Sequence, residues 1–88
     1  MLHIVSNPKS IGECTLHLLE DDAIILIDDG VYAITGNNLN NLDIPVPVYA
    51  LEADLAARGI SPTSGETPAN MSRFVALVVE HASSVTWT

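Results

Sequence analysis

A run of five apolar residues, 23–27, is followed at once by Asp28, Asp29 and Gly30. Because the run is rich in β-branched side chains and has no polar break, it predicts a strand covered on both faces, as in a parallel sheet. The two carboxylates then lie at the carboxyl end of that strand, the edge where ligands and functional surfaces gather in open α/β sheets. The alternative interpretation is a turn that the acids make soluble, at which Gly30 allows a positive φ.

Further strands and irregular segments follow from the same pattern. Residues 35–43 are dense in Gly and Asn, and residues 61–70 contain Pro, Ser, Thr and Gly without an apolar run, so we expect both stretches to be irregular. Pro45 and Pro47 restrict the beginning of the apolar segment 44–51, and we therefore expect the strand there to begin at residue 46. Three short segments predict strands: Leu2–Val5, residues 46–51 and Ser84–Trp87.

A capping signal predicts the first helix. Ser10 and Glu13 have the Ser-x-x-Glu spacing of a capping box, in which each side chain bonds the backbone amide of the other residue. The helix is expected to run from there to about Glu20, with Ile11 and Cys14 on its packed face.

Two more helices follow later in the chain. Residues 52–58 have acids in the first turn and Arg58 in the last, and Gly59 then suits a left-handed helix end. The last helix has one continuous apolar stripe, which predicts its packed face, whereas Leu77 lies off the stripe and is expected at the surface. The stripe consists of Met71, Phe74, Val75, Val78, Val79 and Ala82.

The alternation of strands and helices predicts the fold class. It indicates an α/β protein with a mainly parallel, Rossmann-like sheet of about four or five strands and helices on both faces. At 88 residues, we expect the whole stretch 1–88 to form a single domain.

Composition adds an expectation of subunit contacts. Hydrophobic residues make up 48% of the chain, more than so small a body is expected to bury. We expect the exposed hydrophobic surface to lie at residues 31–34. Tyr32 suits an interface there because its aromatic ring has a polar hydroxyl group. The formal charge of −8 opposes close self-association and favours a less acidic partner. The presence of only three basic residues argues against direct binding to nucleic acid or to an anionic membrane.

The sequence lacks the motifs of several enzyme classes. The five glycines match neither a dinucleotide-binding loop nor a P-loop, and the three histidines do not have zinc-ligand spacing. We therefore expect no cofactor and no metal. The chain also shows no signal peptide and no apolar stretch of membrane-spanning length, so a reducing cytoplasm is the expected location.

Cys14 is the one residue with potential for covalent chemistry. It lies near the start of the predicted first helix, where the helix dipole lowers the pKa of a thiol, and protonated His17 would favour the thiolate further. The alternative is that Cys14 fills the core as a small hydrophobic residue. As the single cysteine, it has no partner for an intrachain disulfide.

Four stretches of the chain together resemble one family. They are MLHIV at residues 1–5, IDDGVYA at 27–33, VYALEADLAARG at 48–59 and FVALVVEH at 74–81, with Trp87 after them. In this order and spacing they resemble the TusB/DsrH family of small sulfur-relay subunits, and the resemblance covers nearly the whole chain. One departure is the missing apolar strand in residues 61–70.

The resemblance implies a fold, an assembly and a function. It implies a DsrE/DsrF/DsrH-like fold and a cytoplasmic heterohexamer with TusC/DsrF-like and TusD/DsrE-like subunits. Such a complex relays persulfide sulfur toward 2-thiolation of the tRNA wobble uridine or, in its other form, serves sulfur oxidation. The main persulfide cysteine belongs to the TusD/DsrE-type subunit, but Cys14 matches a cysteine found in the first helix of some DsrH-type members.

Three hypotheses therefore remain for function. The chain is an accessory, non-catalytic subunit of a sulfurtransferase complex, or a carrier with persulfide on Cys14, or a stand-alone homo-oligomer that binds a small ligand near the acidic turn. Under the first hypothesis we expect a homo-oligomer when the chain is isolated from its partners. The expected interface residues are Asp28, Asp29, Gly30, Val31 and Tyr32.

Overall fold

The structure, a computed structural model, describes residues 1–37, 39, 42, 44–62 and 65–88. Five parallel strands form one sheet in the order β4-β3-β2-β1-β5. Their bounds are β1 Leu2–Val5, β2 Ala23–Leu26, β3 Val48–Leu51, β4 Thr67–Ala69 and β5 Ser84–Trp87. The predicted fold class, an α/β protein with a parallel sheet, is thus confirmed.

The predicted central strand is the middle strand of this sheet. All four residues of β2 are buried, with β1 on one side and β3 on the other. Helices and loops cover both of its faces, which explains why the run shows no polar alternation. The predicted strands at Leu2–Val5 and Ser84–Trp87 are present, and β3 begins at Val48, one residue after Pro47.

The connections contain three α-helices and two 3₁₀ segments within the described residues. The helices are α1 Ile11–Thr15, α2 Glu52–Arg58 and α3 Met71–Glu80, and the 3₁₀ segments are Pro8–Ser10 and Asp28–Asn37. None of these helices is long and apolar enough to cross a bilayer. Of the loop predicted over residues 35–43, the first three residues belong to the second 3₁₀ segment, and residues 38, 40, 41 and 43 lie outside the described part.

The predicted first helix is shorter than expected and lacks the capping box. It has five residues and ends at Thr15, and the Ser10 side chain makes no capping hydrogen bond. The preceding 3₁₀ turn holds Ser10 in the helical region of φ and ψ, whereas a capping side chain requires an extended residue. The Ser10 hydroxyl donates instead to the Thr88 carbonyl, at 3.3 Å.

The second helix agrees with its prediction. Helix α2 has Glu52 and Asp54 in its first turn and Arg58 in its last, and Gly59 follows with φ of 64°. Because that conformation is costly for residues with a Cβ atom, glycine is the residue that ends this helix at low cost.

The expectation of an irregular segment over residues 61–70 was wrong in part. Its last residues form β4, which pairs with β3 at the edge of the sheet and carries Pro68. An edge strand tolerates proline because one side of its backbone pairs with no neighbour. Residues 63 and 64 lie outside the described residues.

The two faces of the sheet are covered unequally. On one face, α1, α2 and the long 3₁₀ segment enclose a cluster of twelve buried residues, including Val5, Cys14 and Leu26. On the other face, α3 lies over a smaller cluster of five buried residues. Ile4, Ile27 and Tyr49 remain only partly buried there.

Helix α3 is rotated relative to the prediction, and of the predicted stripe Phe74 lies on the packed side. Leu77 is its buried residue, and Phe74 is partly buried, whereas Met71, Val75, Val78 and Val79 of the predicted stripe are exposed. A single residue, Asn70, separates β4 from α3, and its side chain accepts a hydrogen bond from the Arg73 amide at 2.8 Å. This tight connection fixes the rotation of the helix, which periodicity alone does not specify.

Candidate functional site

The order of the strands creates a crevice at the carboxyl edge of the sheet. The chain moves outward from β1 to β4 and then returns to place β5 on the other side of β1. At such a reversal the loops leave the sheet in opposite directions, and open α/β proteins bind ligands there. A shallow pocket of about 480 Å³ lies at this point, lined by Ser6, Asn7, Pro8, Asp29, Tyr32 and Thr88.

The acidic turn borders this pocket and is tied to α2. Arg58 bonds Asp28 at 2.6 Å and Asp29 at 3.1 Å, and it lies 3.5 Å from Asp54. The Asp54 carboxylate also accepts the Asp28 amide at 2.8 Å. The guanidinium therefore fixes the turn against the helix while the Asp28 and Asp29 carboxylates stay largely exposed.

Gly30 is required in this turn for a different reason from the one predicted. It does not adopt a positive φ, and the left-handed residue is Asp28, with φ of 49°. A Cβ atom on Gly30 would lie 1.9 Å from the Val5 carbonyl oxygen. The turn is held there because the Ile27 amide donates to the same oxygen at 3.0 Å. Close contact with β1 therefore excludes any larger residue.

The expected exposed surface at residues 31–34 was wrong except for Tyr32. Val31, Ala33 and Ile34 are buried in the larger core cluster, because the 3₁₀ segment turns back under the sheet after Gly30. Tyr32 is exposed, and the Arg58 guanidinium lies 5.8 Å from its ring centroid. Of the five expected interface residues, Asp28, Asp29 and Tyr32 face solvent, and their role in an interface stays a prediction.

Cys14 lies in the core rather than at a reactive surface. Its side chain has no exposure to solvent. Burial, and to a lesser extent the negative charge of Asp22, raises the pKa of the thiol to about 11. The His17 ring stacks on Trp87, with centroids 5.5 Å apart. The structure thus favours the packing interpretation of Cys14, although its chemical role stays a prediction.

A buried polar chain beside this core was not predicted. The indole of Trp87 donates to Nδ1 of His3 at 3.1 Å, and Nε2 of His3 lies 2.8 Å from Asp22. Because an indole nitrogen only donates, Nδ1 accepts, and the ring proton lies on Nε2 and is donated to the carboxylate. Asp22 is 19 positions from His3 in the sequence, and Trp87 is 84 positions from it. The one sequence signal for this polar chain was a histidine within the apolar run of the first strand.

Asp22 is held ionised by this network. Burial acts to raise the pKa of its carboxyl, but hydrogen bonds from the Met1 amino group, His3 and the Leu19 amide outweigh it and hold the pKa well below the ordinary value of 3.8. The distances to the carboxylate are 2.8 Å, 2.8 Å and 3.0 Å. His3 and Asp22 are both buried, so this network ties β1 to the start of β2 and to β5 and does not form an accessible site.

No group of three or more potential metal ligands occurs among the described His, Cys, Asp and Glu residues. The accessible features at the carboxyl edge near β1 include the acidic turn, Tyr32 and the open pocket beside them. This arrangement offers hydrogen-bonding and aromatic contacts to a partner, and the residues described as lining the pocket include no cysteine.

Comparisons with known proteins identify the family. The family model described as "DsrH like protein" matches residues 6–84. Protein TusB of Escherichia coli O1:K1 is 39% identical over 75 residues, covering 80% of this chain and 79% of the relative. Protein TusB of Salmonella arizonae is 40% identical over the same coverage. The chain therefore belongs to the TusB/DsrH family of small sulfur-relay subunits.

Proposed function

We propose that this chain is an accessory, non-catalytic subunit of a cytoplasmic sulfur-relay complex that serves 2-thiolation of the wobble uridine in tRNA. In this proposal its partners are TusC/DsrF-like and TusD/DsrE-like subunits, with two copies of each chain in a heterohexamer. Family membership supports the relay role, and the resemblance described above supplies the assembly and the acceptor.

The state of Cys14 is the observation that carries the non-catalytic part of the proposal. The nucleophile in persulfide transfer is a thiolate, and it must reach the donor sulfur. With a pKa of about 11, on the order of one Cys14 in ten thousand is ionised at neutral pH. The thiol is also fully buried. Sulfur that passes through the complex therefore has to travel on a cysteine of another subunit.

The net charge of the chain supports an accessory role in which other subunits contact the tRNA. At −8, with two of its three basic side chains already held in ion pairs, this subunit repels tRNA rather than binding it. Contact with the acceptor would be made by other subunits. The exposed acids and Tyr32 at the carboxyl edge are available for contacts with such subunits.

A second candidate function rests on the pocket beside Asp29. Its volume of about 480 Å³ suits a small ligand, as the hypothesis of a stand-alone homo-oligomer requires. The two candidates differ in what accompanies the chain in its native cytosol. Two paralogous subunits that co-purify in equal amounts would favour the relay complex, and their absence would favour the stand-alone protein.

Sulfur transfer through the reconstituted complex tests the proposal. We expect a complex with Cys14→Ala to transfer sulfur from a persulfide donor to the acceptor at a rate within a few-fold of the unmodified complex. The control is substitution of the partner's persulfide cysteine, which should abolish transfer. Loss of transfer by Cys14→Ala in an intact complex would contradict the non-catalytic assignment.

A further inference from the structure

The exposed face of α3 is an apolar surface without a partner in the described part of the chain. Met71, Val75 and Val79 are 60%, 56% and 77% exposed, and Val78 lies beside them at 43%. At 100° per residue these four side chains fall within about 100° of the helix circumference. Leu77, on the opposite side, is the residue that anchors the helix to the sheet.

This surface carries no charge of its own. The two charged residues of α3, Arg73 and Glu80, lie on the side away from the exposed stripe and pair with each other at 2.9 Å. Arg73 also lies over the Tyr49 ring, 5.4 Å from its centroid. Contiguous apolar surface of this kind on a small protein marks a contact with another protein.

A groove continues the surface at the beginning of α3. It has a volume of about 370 Å³ and runs between α2 and α3. Its lining combines apolar side chains with one carboxylate, and it consists of Leu51, Glu52, Ala53, Ala56, Asn70 and Met71. Glu52 is exposed and forms no ion pair with any described residue. The groove can therefore receive an apolar side chain beside a positive one.

Charge argues against a second copy of this chain as the occupant. A second copy would bring another eight negative charges, and its Arg58 and Arg73 are already held in ion pairs. It has little positive charge to offer Glu52.

We propose that the α3 face and the adjoining groove form the docking surface for a less acidic protein subunit, which covers the stripe with an apolar helix and places a basic side chain against Glu52. This inference rests on the proposed function, because the subunit is one of the paralogous partners of the relay complex. It assigns to that contact the exposed face of α3, over the smaller core cluster, together with the groove that α3 forms with the start of α2.

Assembly with the co-expressed paralogous subunits tests the assignment. We expect Val75→Lys/Val79→Lys to raise the apparent Kd of assembly at least about tenfold, because two charges must be desolvated at the contact. The matched control is Leu16→Lys/Leu19→Lys, which adds the same charges at positions 82% and 72% exposed on another part of the surface. The control should stay within about threefold of the unmodified chain. Equal thermal midpoints would show that both variants are folded.

A second pair of variants tests whether the Glu52 carboxylate faces a basic side chain of the partner. Glu52→Gln should slow association and weaken its dependence on ionic strength, whereas Glu13→Gln, at an exposed position on α1, should change neither. An unchanged response to salt for Glu52→Gln would overturn the assigned chemistry of the partner.

The possible failures are distinguishable. A complex that forms equally well with the paired lysines would overturn the docking surface and leave the proposed function standing. No complex with the unmodified chain would overturn the proposed function and this assignment with it. The isolated chain could also self-associate more tightly than it assembles with the paralogues. If Val75→Lys/Val79→Lys abolished that self-association, the occupant would be a second copy and the assignment would be overturned.

Discussion

At the scale of single residues, Gly30 differs from Gly12, Gly59 and Gly65 because its surroundings leave no room for a Cβ atom. The atom that a Cβ would meet, the Val5 carbonyl oxygen, belongs to the backbone of β1 and accepts a hydrogen bond from Ile27. Neither strand nor turn is free to move away, because β1 and β2 pair along their whole length. The acidic turn therefore depends on this glycine for its placement.

Substitution at two glycines tests this argument. We expect Gly30→Ala to lower the free energy of unfolding by about 3 kcal/mol or more, since the backbone must shift to admit the new atom. Gly12→Ala is the control, because its added Cβ in α1 would meet no atom within 4 Å apart from its chain neighbours and the backbone of its own helix. That change should raise stability by about 0.5–1 kcal/mol through helix propensity. Urea denaturation measures both, and equal stabilities would contradict the account of Gly30.

Asp22 makes a pH-dependent contribution to stability. Its folded pKa lies below the ordinary value of 3.8, so the contribution is fully present above about pH 4 and is lost as the pH falls further. At pH 7 we expect Asp22→Asn to cost about 1–3 kcal/mol, because it weakens hydrogen bonds to a buried charged group. The deficit should shrink below pH 4, where the unmodified protein loses the same contribution.

The neighbouring acid provides the control for this prediction. Asp21 is exposed, and Asp21→Asn should change the free energy of unfolding by no more than about 0.5 kcal/mol at either pH. Urea denaturation at pH 7 and in acid gives the comparison. A deficit for Asp22→Asn that stays constant across this range would show that the carboxylate charge does not stabilise the fold.

At the scale of elements, α3 shows that an apolar stripe does not by itself identify the packed face. Its stripe predicted burial of Val75 and Val79 and exposure of Leu77, and the structure has the reverse. We expect Leu77→Ala to cost about 2–4 kcal/mol, as for other large core residues. Val79→Ala should stay within about 0.5 kcal/mol. Thermal or urea unfolding of the isolated chain distinguishes them, and a larger loss for Val79→Ala would contradict the orientation of the helix.

The elements predicted well from the sequence are those whose signals are local. Helix α2 has its acids, its arginine and its terminal glycine within eight residues, and β2 is a continuous apolar run. Strand β4 could not be predicted, because its three residues become a strand only by pairing with β3. The helix α1 was predicted at the right place, but its capping box was wrong, since the 3₁₀ turn before it changes the backbone angles of Ser10.

At the scale of the whole molecule, two regions are candidates for function. The carboxyl edge near β1 has the acidic turn and Tyr32 beside an open pocket, and α3, over the smaller core cluster, has an uncovered apolar face. The sequence indicated the first region through the residues after β2. It could not indicate the second, because exposure of the stripe depends on how β4 and Asn70 orient the helix. The His3–Asp22 pair escaped prediction for the same reason, since it joins distant parts of the chain.

The central claim is that this subunit takes part in sulfur relay without carrying sulfur itself. Intact-mass measurement of the folded chain after incubation with a persulfide donor tests it most directly. We predict no added sulfur atom on Cys14 in the folded chain, because the thiol is buried and its pKa is raised to about 11. The urea-unfolded chain is the control and should acquire sulfur. A stable gain of one sulfur atom on Cys14 in most folded molecules would contradict the account and make this chain a sulfur carrier.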